Sequence, residues 1–244
     1  MLYRMIRLNK YLQQAGVTSR RKADQLIFEA KVLVNGAVCL LPHQRIDPIV
    51  DEVKVEGKVL GAPEKKVYYL LNKPKGFLCT ALGTGRGKSV LELFQDEAKR
   101  LFTVGRLDKD TEGLLLVTND GDFAQAVIHP SKNLEKEYLA KTSQEVTHEH
   151  LIKIASGVIV EGVFVKPLHV EKVRKGTLKI TLGEGKKREV RHLLEAAGLT
   201  IISLTRIRLG TLVLGPLPTG HFRPLTDKER QRLVLCKINF PALG

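Results

Sequence analysis

Tryptophan is absent from this chain, aromatic residues make up 5% of it, and cysteines number three in 244 residues. The cysteines, Cys39, Cys79 and Cys236, are odd in number and far apart, with no C-x-x-C spacing. That pattern excludes a disulfide framework and gives no support to a zinc site. The seven histidines form no H-E-x-x-H pattern and do not cluster with cysteine, so no metal is expected. No run of about 18 apolar residues exists to span a bilayer. The opening MLYRMIRLNK lacks the apolar core of a signal peptide, which makes the cytoplasm the expected compartment. Acidic residues are the other shortage: 26 Asp and Glu face 40 Lys and Arg, a net charge of +14.

A basic excess of this size favours a polyanionic partner, nucleic acid or an acidic membrane surface. Solubility alone would not select this sign. With 43% hydrophobic and 27% charged residues, the composition is otherwise that of a globular protein with a real core. The charge is spread along the chain. Residues 1–66 hold 12 basic and 7 acidic residues, net +5, and the remainder holds 28 and 19, net +9. A polyanion could therefore touch both parts.

The first 60 residues read as a small α+β unit. NKYLQQAG suggests a short helix closed by Gly16. Thr18 or Ser19 can cap a second helix whose Ala23, Leu26, Ile27 and Ala30 form an apolar stripe. Asn35-Gly36 between two apolar runs is the strongest short hairpin signal, and DEVKVEGKVL looks like another strand. GAPEKK, residues 61–66, has the Gly, Pro and charge of a linker. Beyond it, VYYLLNKPKG, GLLLVTNDG, KEYLAKT, TLKITLGEG and TIISLTRIRLGTLVLGPL read as strands. GDFAQAVIHP, KREVRHLLEAAG and TDKERQRL read as helices. Many strands and few helices predict an α+β domain on a mixed, mainly antiparallel sheet with flanking helices.

Three carboxylates crowd GRLDKDTEGLLLVTNDG: Asp108, Asp110 and Glu112. A calcium loop would need a bidentate Glu where Asn119 stands, and LLLVT inside it wants to be a strand. Asp110 and Glu112 fit a solvated turn. Asp108 is harder to dismiss, because it sits in a loop bounded by Gly105 and Gly113 that permit close backbone approach. A partly buried carboxylate needs a cation to stay ionised, and Arg188 and Arg191 in GEGKKREVRHLL are candidates. A glycosidase-like acid pair suits the basic surface poorly. Near the front, Arg20, Arg21 and Lys22 occupy the first turn of the second helix, where amide donors and cations together make a phosphate site.

At two places the sequence resembles known families. RLNKYLQQAGVTSRRKADQLIFEAKVLVNG is similar to the S4 RNA-binding domain. GRLDKDTEGLLLVTNDG, with YYLLNKPKGFLCT, KEYLAKT, EGKKREVRHLLEAAG and GHFRPLTDKE, resembles the pseudouridine synthases of the ribosomal small-subunit/large-subunit class that carry an N-terminal S4 domain. The resemblance covers nearly the whole chain. It implies an S4-like RNA-binding domain at 1–62, a linker at 63–67 and a catalytic domain at 68–240. It implies an enzyme that turns a uridine of ribosomal RNA into pseudouridine without metal or cofactor. Asp108 matches the catalytic aspartate, Tyr138 the tyrosine that stacks on the target base, and Arg191 the basic residue paired with the aspartate. Arg106 matches the arginine that helps hold the flipped nucleotide, and Arg188 lies close by as an RNA contact. The scarcity of aromatic residues suits a module that grips RNA by its backbone.

REVRHL and GVTSRRKADQLI look more like the large-subunit branch; a small-subunit target is the alternative. The expected partner is ribosomal RNA or a pre-ribosomal particle, met by a monomer away from membranes. A non-catalytic RNA-binding or assembly factor, and a nucleoside or glycoside hydrolase, are the rival functions.

Overall fold

The computed structural model describes residues 5–61, 64–80, 87–97, 99–183, 185–186 and 188–235. Cys236, residues 62–63 of the expected linker and residues 236–240 of the expected second domain lie outside them. The chain divides into two compact units, residues 1–66 with 98–100, and residues 67–97 with 101–244.

The first unit runs β1 (Ile6–Arg7), α1 (Leu8–Gln14), α2 (Arg20–Phe28), β2 (Val32–Val34), β3 (Ala37–Val38), β4 (Arg45–Ile46), β5 (Val53–Val55) and β6 (Lys58–Val59). Its four-stranded sheet has the order β3-β2-β5-β6, and β1 pairs with β4. Leu8, Leu12, Ala23, Ile27, Val32, Ile46 and Val53 are buried together. Gly16 adopts φ 75° just after α1, and Ser19 is the residue that caps α2, its hydroxyl accepting from the Lys22 amide. Asn35 and Gly36 take φ of 51° and 81°, the left-handed pair that a tight hairpin needs. Two segments differ from the expectation. DEVKVEGKVL is not one strand but a hairpin, because Glu56 and Gly57 also turn left-handed, at φ 48° and 79°. Ala30 does not extend the apolar stripe: α2 ends at Phe28, and Ala30 is exposed at φ 57°.

The second unit comprises β7 (Tyr68–Lys73), β8 (Phe102–Val104), β9 (Glu112–Thr118), α3 (Gly121–Ile128), β10 (Lys136–Thr142), α4 (His148–Ser156), β11 (Val158–Val160), β12 (Val163–Val165), β13 (His169–Arg174), β14 (Thr177–Leu182), α5 (Glu189–Ala196), β15 (Ile201–Leu209), β16 (Leu212–Val213), β17 (Phe222–Pro224) and α6 (Asp227–Leu235). TIISLTRIRLGTLVLGPL thus holds two strands, β15 and β16, with the chain reversing at Gly210 (φ 55°). The sheet order is β13-β14-β10-β15-β9-β7-β17, with β8 on β9 and β16 on β15. Every pairing in it is antiparallel except β15 with β9.

That exception organises the unit. β15 and β9 meet at two registered pairs, Thr205 with Glu112 and Arg206 with Gly113, after which β8 takes over the edge of β9. The sheet is therefore two halves joined at a short seam. Each half has its own core. Leu178, Ile180, Leu193, Leu194 and Leu204 lie in one, and Leu114, Leu116, Phe123, Val127 and Leu209 in the other. Leu115 and Val117 face a third cluster with Tyr69, Leu71, Val90 and Phe94. Both faces of β9 are thus covered, which is why LLLVT is a continuous apolar run rather than an alternating one.

Candidate active site

A cavity of about 1000 Å³ opens at the seam. It is bordered by the end of β8, the loop 105–108, Thr111, the end of α3, β10, the end of β14, the start of α5, and β15. Five of the residues singled out in the sequence line it: Arg106, Asp108, Tyr138, Arg188 and Arg191. Arg20, Arg21 and Lys22 lie in the other unit, exposed in the first turn of α2. The cavity is cationic. Arg106, Lys136, Lys186, Arg188, Arg191 and Arg206 border it, against the carboxylates of Asp108 and Glu189. A site of that balance attracts a phosphate-bearing ligand.

The loop carrying Asp108 is held at several points. Leu107 is buried, and its amide donates to the Cys79 sulfur at 3.4 Å while the Cys79 thiol donates back to its carbonyl at 3.4 Å. The Thr111 amide donates to the Asp108 carbonyl at 3.1 Å, closing the turn. Gly105 takes φ 73° and Gly113 φ 100°. A side chain at Gly113 would overlap the Arg206 carbonyl oxygen and stand 2.8 Å from its amide nitrogen, so glycine lets β9 and β15 meet at the seam. Asp108 stays half-buried, Arg106 and Asp110 are exposed, and Glu112–Thr118 is extended strand. No calcium loop can form from 108–119.

Two residues the sequence reading passed over hold this loop and its seam. Lys73, at the end of β7, is fully buried. Its ammonium donates to the carbonyls of Thr111 at 2.8 Å, Pro74 at 3.0 Å and Lys109 at 3.3 Å. Burial pushes its pKa below the ordinary lysine value, opposed by Cys79, Glu112, Asp110 and Asp108 nearby. Arg206 on β15 is 4% exposed, and its Nε donates to the Leu114 carbonyl at 2.8 Å. Period-two alternation was the available signal in both cases. It places Lys73 on the face of Tyr69 and Leu71, and Arg206 on that of Leu204.

Among the described residues no ion pair joins Arg191 to Asp108. The Arg191 Nη2 donates to the Asp110 carbonyl at 2.9 Å and the Thr111 hydroxyl at 3.4 Å. The helix carries this guanidinium to a loop carbonyl two residues past the aspartate and to a hydroxyl three residues past it. Arg188 precedes α5 at φ 55° and makes no side-chain cap. Tyr138 is half-buried between two core clusters. A register shift between Glu137 and Tyr138 sets it directly opposite Arg206, the kind of bulge that re-aims side chains beside sites. Its neighbour Glu137 accepts from Arg208 Nε at 2.8 Å.

Residues 67–196 match the family described as RNA pseudouridylate synthase, and residues 6–48 match the S4 domain. A chloroplastic relative from Arabidopsis thaliana is 44% identical over 93% of this chain, which spans 60% of that protein's length. The ribosomal large subunit pseudouridine synthase B of Bacillus subtilis is 38% identical, with 94% of this chain and 96% of that one covered. A solved pseudouridylate synthase superposes at a TM-score of 0.67 with 29% identity, over 94% of this chain and all of the other.

Proposed function

The chain belongs to the RNA pseudouridylate synthase family and carries an S4 domain, and from that membership we propose that it converts one uridine of ribosomal RNA to pseudouridine with Asp108 as the catalyst. The name of the Bacillus subtilis relative favours the large-subunit RNA as substrate. In this reading residues 1–62 grip RNA and 63–67 link them to the catalytic domain at 68–240. The chain works as a monomer in the cytoplasm, with no metal or cofactor.

The single observation that carries the reading is the placing of Asp108. It projects from a loop tied to Lys73, Cys79 and Arg191, in a cavity that Tyr138 also lines and that six cations border. Isomerisation breaks the C1′–N1 bond, turns the uracil and joins C5 to C1′. The target must leave its stack first, at a cost of roughly a few kcal/mol. Arg106, exposed at the mouth, and the Arg188 side chain are suited to its phosphates, which offsets that cost. Tyr138 offers a ring for the flipped base. A carboxylate at the sugar can attack C1′, balance positive character there, or take a sugar proton. Arg191 acts on this aspartate through the loop backbone rather than by direct contact.

The test is a map of pseudouridine in ribosomal RNA from cells carrying the gene, lacking it, or carrying Asp108→Asn. One position modified in the first and unmodified in the other two is expected. An identical map in all three strains contradicts the reading and favours a non-catalytic assembly factor.

A further inference from the structure

Four buried side-chain polar atoms lack a hydrogen-bond partner among the described residues, and two of them are guanidinium nitrogens of this cavity: Arg191 Nε and Arg206 Nη2. Arg191 uses its Nη2 on the loop. Arg206 is different. The one hydrogen bond of its side chain among the described residues is from Nε to the Leu114 carbonyl, which fixes the plane of the group and leaves Nη2 buried and unmatched. A buried charged donor without an acceptor is a standing cost, and such orphans are rare enough to require an explanation. Exposure to solvent offers none, since Arg206 is 4% exposed.

The position of Arg206 supplies one. It pairs in register with Tyr138 on one side and with Gly113 on the other. Directly opposed residues put their side chains on the same sheet face, about 5 Å apart. Asp108 enters the same cavity from the loop leading into Gly113. A base lying on Tyr138 with its sugar at Asp108 would present its edge to Arg206.

We propose that Arg206 is a further catalytic residue, whose free guanidinium N–H binds a carbonyl oxygen of the target uracil and stabilises the negative charge the base carries when it leaves the sugar. The assignment rests on the isomerase reading above. When C1′–N1 breaks, the bonding pair departs with the ring and spreads over N1 and both carbonyl oxygens. The ring then turns, its π electrons at C5 form the bond to C1′, the C5 proton goes to solvent, and N1 takes up a proton. Atoms and charge balance without any further reactant. A fixed cation at the ring edge is needed only between the two bonds, which is where differential binding speeds a reaction. The demand is the same whichever role Asp108 plays at the sugar.

The test uses the full chain and ribosomal RNA transcripts carrying [5-³H]uridine, with wild type, Asp108→Asn, Arg206→Met and Arg206→Lys. Wild type is expected to release tritium and Asp108→Asn to be slower by at least about 10³-fold. Arg206→Met should lower the single-turnover rate about 10²–10³-fold, as loss of one oxyanion donor does. Its RNA dissociation constant should change less than about threefold, and Arg206→Lys should recover part of the rate. An active wild type matched in rate by a folded Arg206→Met overturns the assignment and leaves the isomerase reading standing. An Arg206→Met whose only change is an altered acid limb of the pH–rate profile shows action through Asp108, and also overturns it. No release by wild type removes the isomerase reading and the assignment together. Should Arg206→Met fail to fold, a crystal structure of Asp108→Asn with a transcript fragment that wild type modifies decides. Arg206 Nη2 at about 3 Å from a uracil carbonyl oxygen is expected, and an uncontacted uracil overturns the assignment.

Discussion

Lys73 shows how a single buried charge can serve a site it never reaches. Its ammonium joins three carbonyls, two of which belong to the loop that presents Asp108. Replacing it by methionine keeps the volume and removes all three donors. Each orphaned carbonyl costs about 1–3 kcal/mol, so Lys73→Met is expected to lower the thermal midpoint clearly in a calorimetric scan. The loop would also lose its alignment. Displacements of about 1 Å typically cost on the order of 10²-fold in rate, so kcat should fall while RNA affinity holds. Unchanged kcat in a folded Lys73→Met would show that the loop is positioned without it. That Asp108, Tyr138 and Arg191 would line one cavity was legible because short motifs surround them. Lys73 and Arg206 were not, because their meaning lies in carbonyls 36 to 92 positions away. Arg191, expected opposite the Asp108 carboxylate, has its Nη2 on the Asp110 carbonyl and the Thr111 hydroxyl, acceptors that charge matching alone does not point to.

Elements were legible where local chemistry decides them. The Asn35-Gly36 hairpin, the Ser19-capped helix and the double-sided strand β9 follow from turn residues, caps and apolar runs. The β5–β6 and β15–β16 reversals were hidden, since Glu56-Gly57 and Gly210-Thr211 interrupt apolar alternation too briefly to break it. The short parallel seam between β15 and β9 depends on Gly113, and no periodicity announces it. At the far end α6 is tied down by a capping box that TDKE spells out. The Thr226 hydroxyl accepts from the Glu229 amide, and Glu229 accepts from the Thr226 amide and from both Arg223 terminal nitrogens. Arg223 is the leading cause that holds the Glu229 carboxyl down to about 2. A depressed carboxylate adds stability above its unfolded pKa near 4.3 and loses it as pH falls toward the folded value. Helical circular dichroism of wild type and Glu229→Gln should therefore show a stability gap at pH 7 that narrows between about pH 5 and pH 2. A gap independent of pH would mean that packing, not charge, anchors α6.

Over the whole chain the +14 charge implies binding that weakens with salt. Arg20, Arg21 and Lys22 are exposed at the start of α2, remote in sequence from the cavity residues. Replacing all three with alanine should lower RNA affinity and reduce the slope of log K against log salt by roughly 2. Catalysis at saturating RNA should be unaffected. A fall in the saturated rate would place these residues in the chemistry instead. Fold class, the basic front module and the family signature were readable from charge and motif. How the seam gathers the signature around one cavity was not, because that depends on which strand edges meet. The central claim is that Asp108 performs the isomerisation, and tritium release from [5-³H]uridine ribosomal RNA, with filter binding in parallel, tests it most directly. Wild type should release tritium, and Asp108→Asn should be slower by at least about 10³-fold while binding RNA within about threefold of wild type. Equal release by Asp108→Asn, or no release by wild type from either subunit's RNA, would contradict the account.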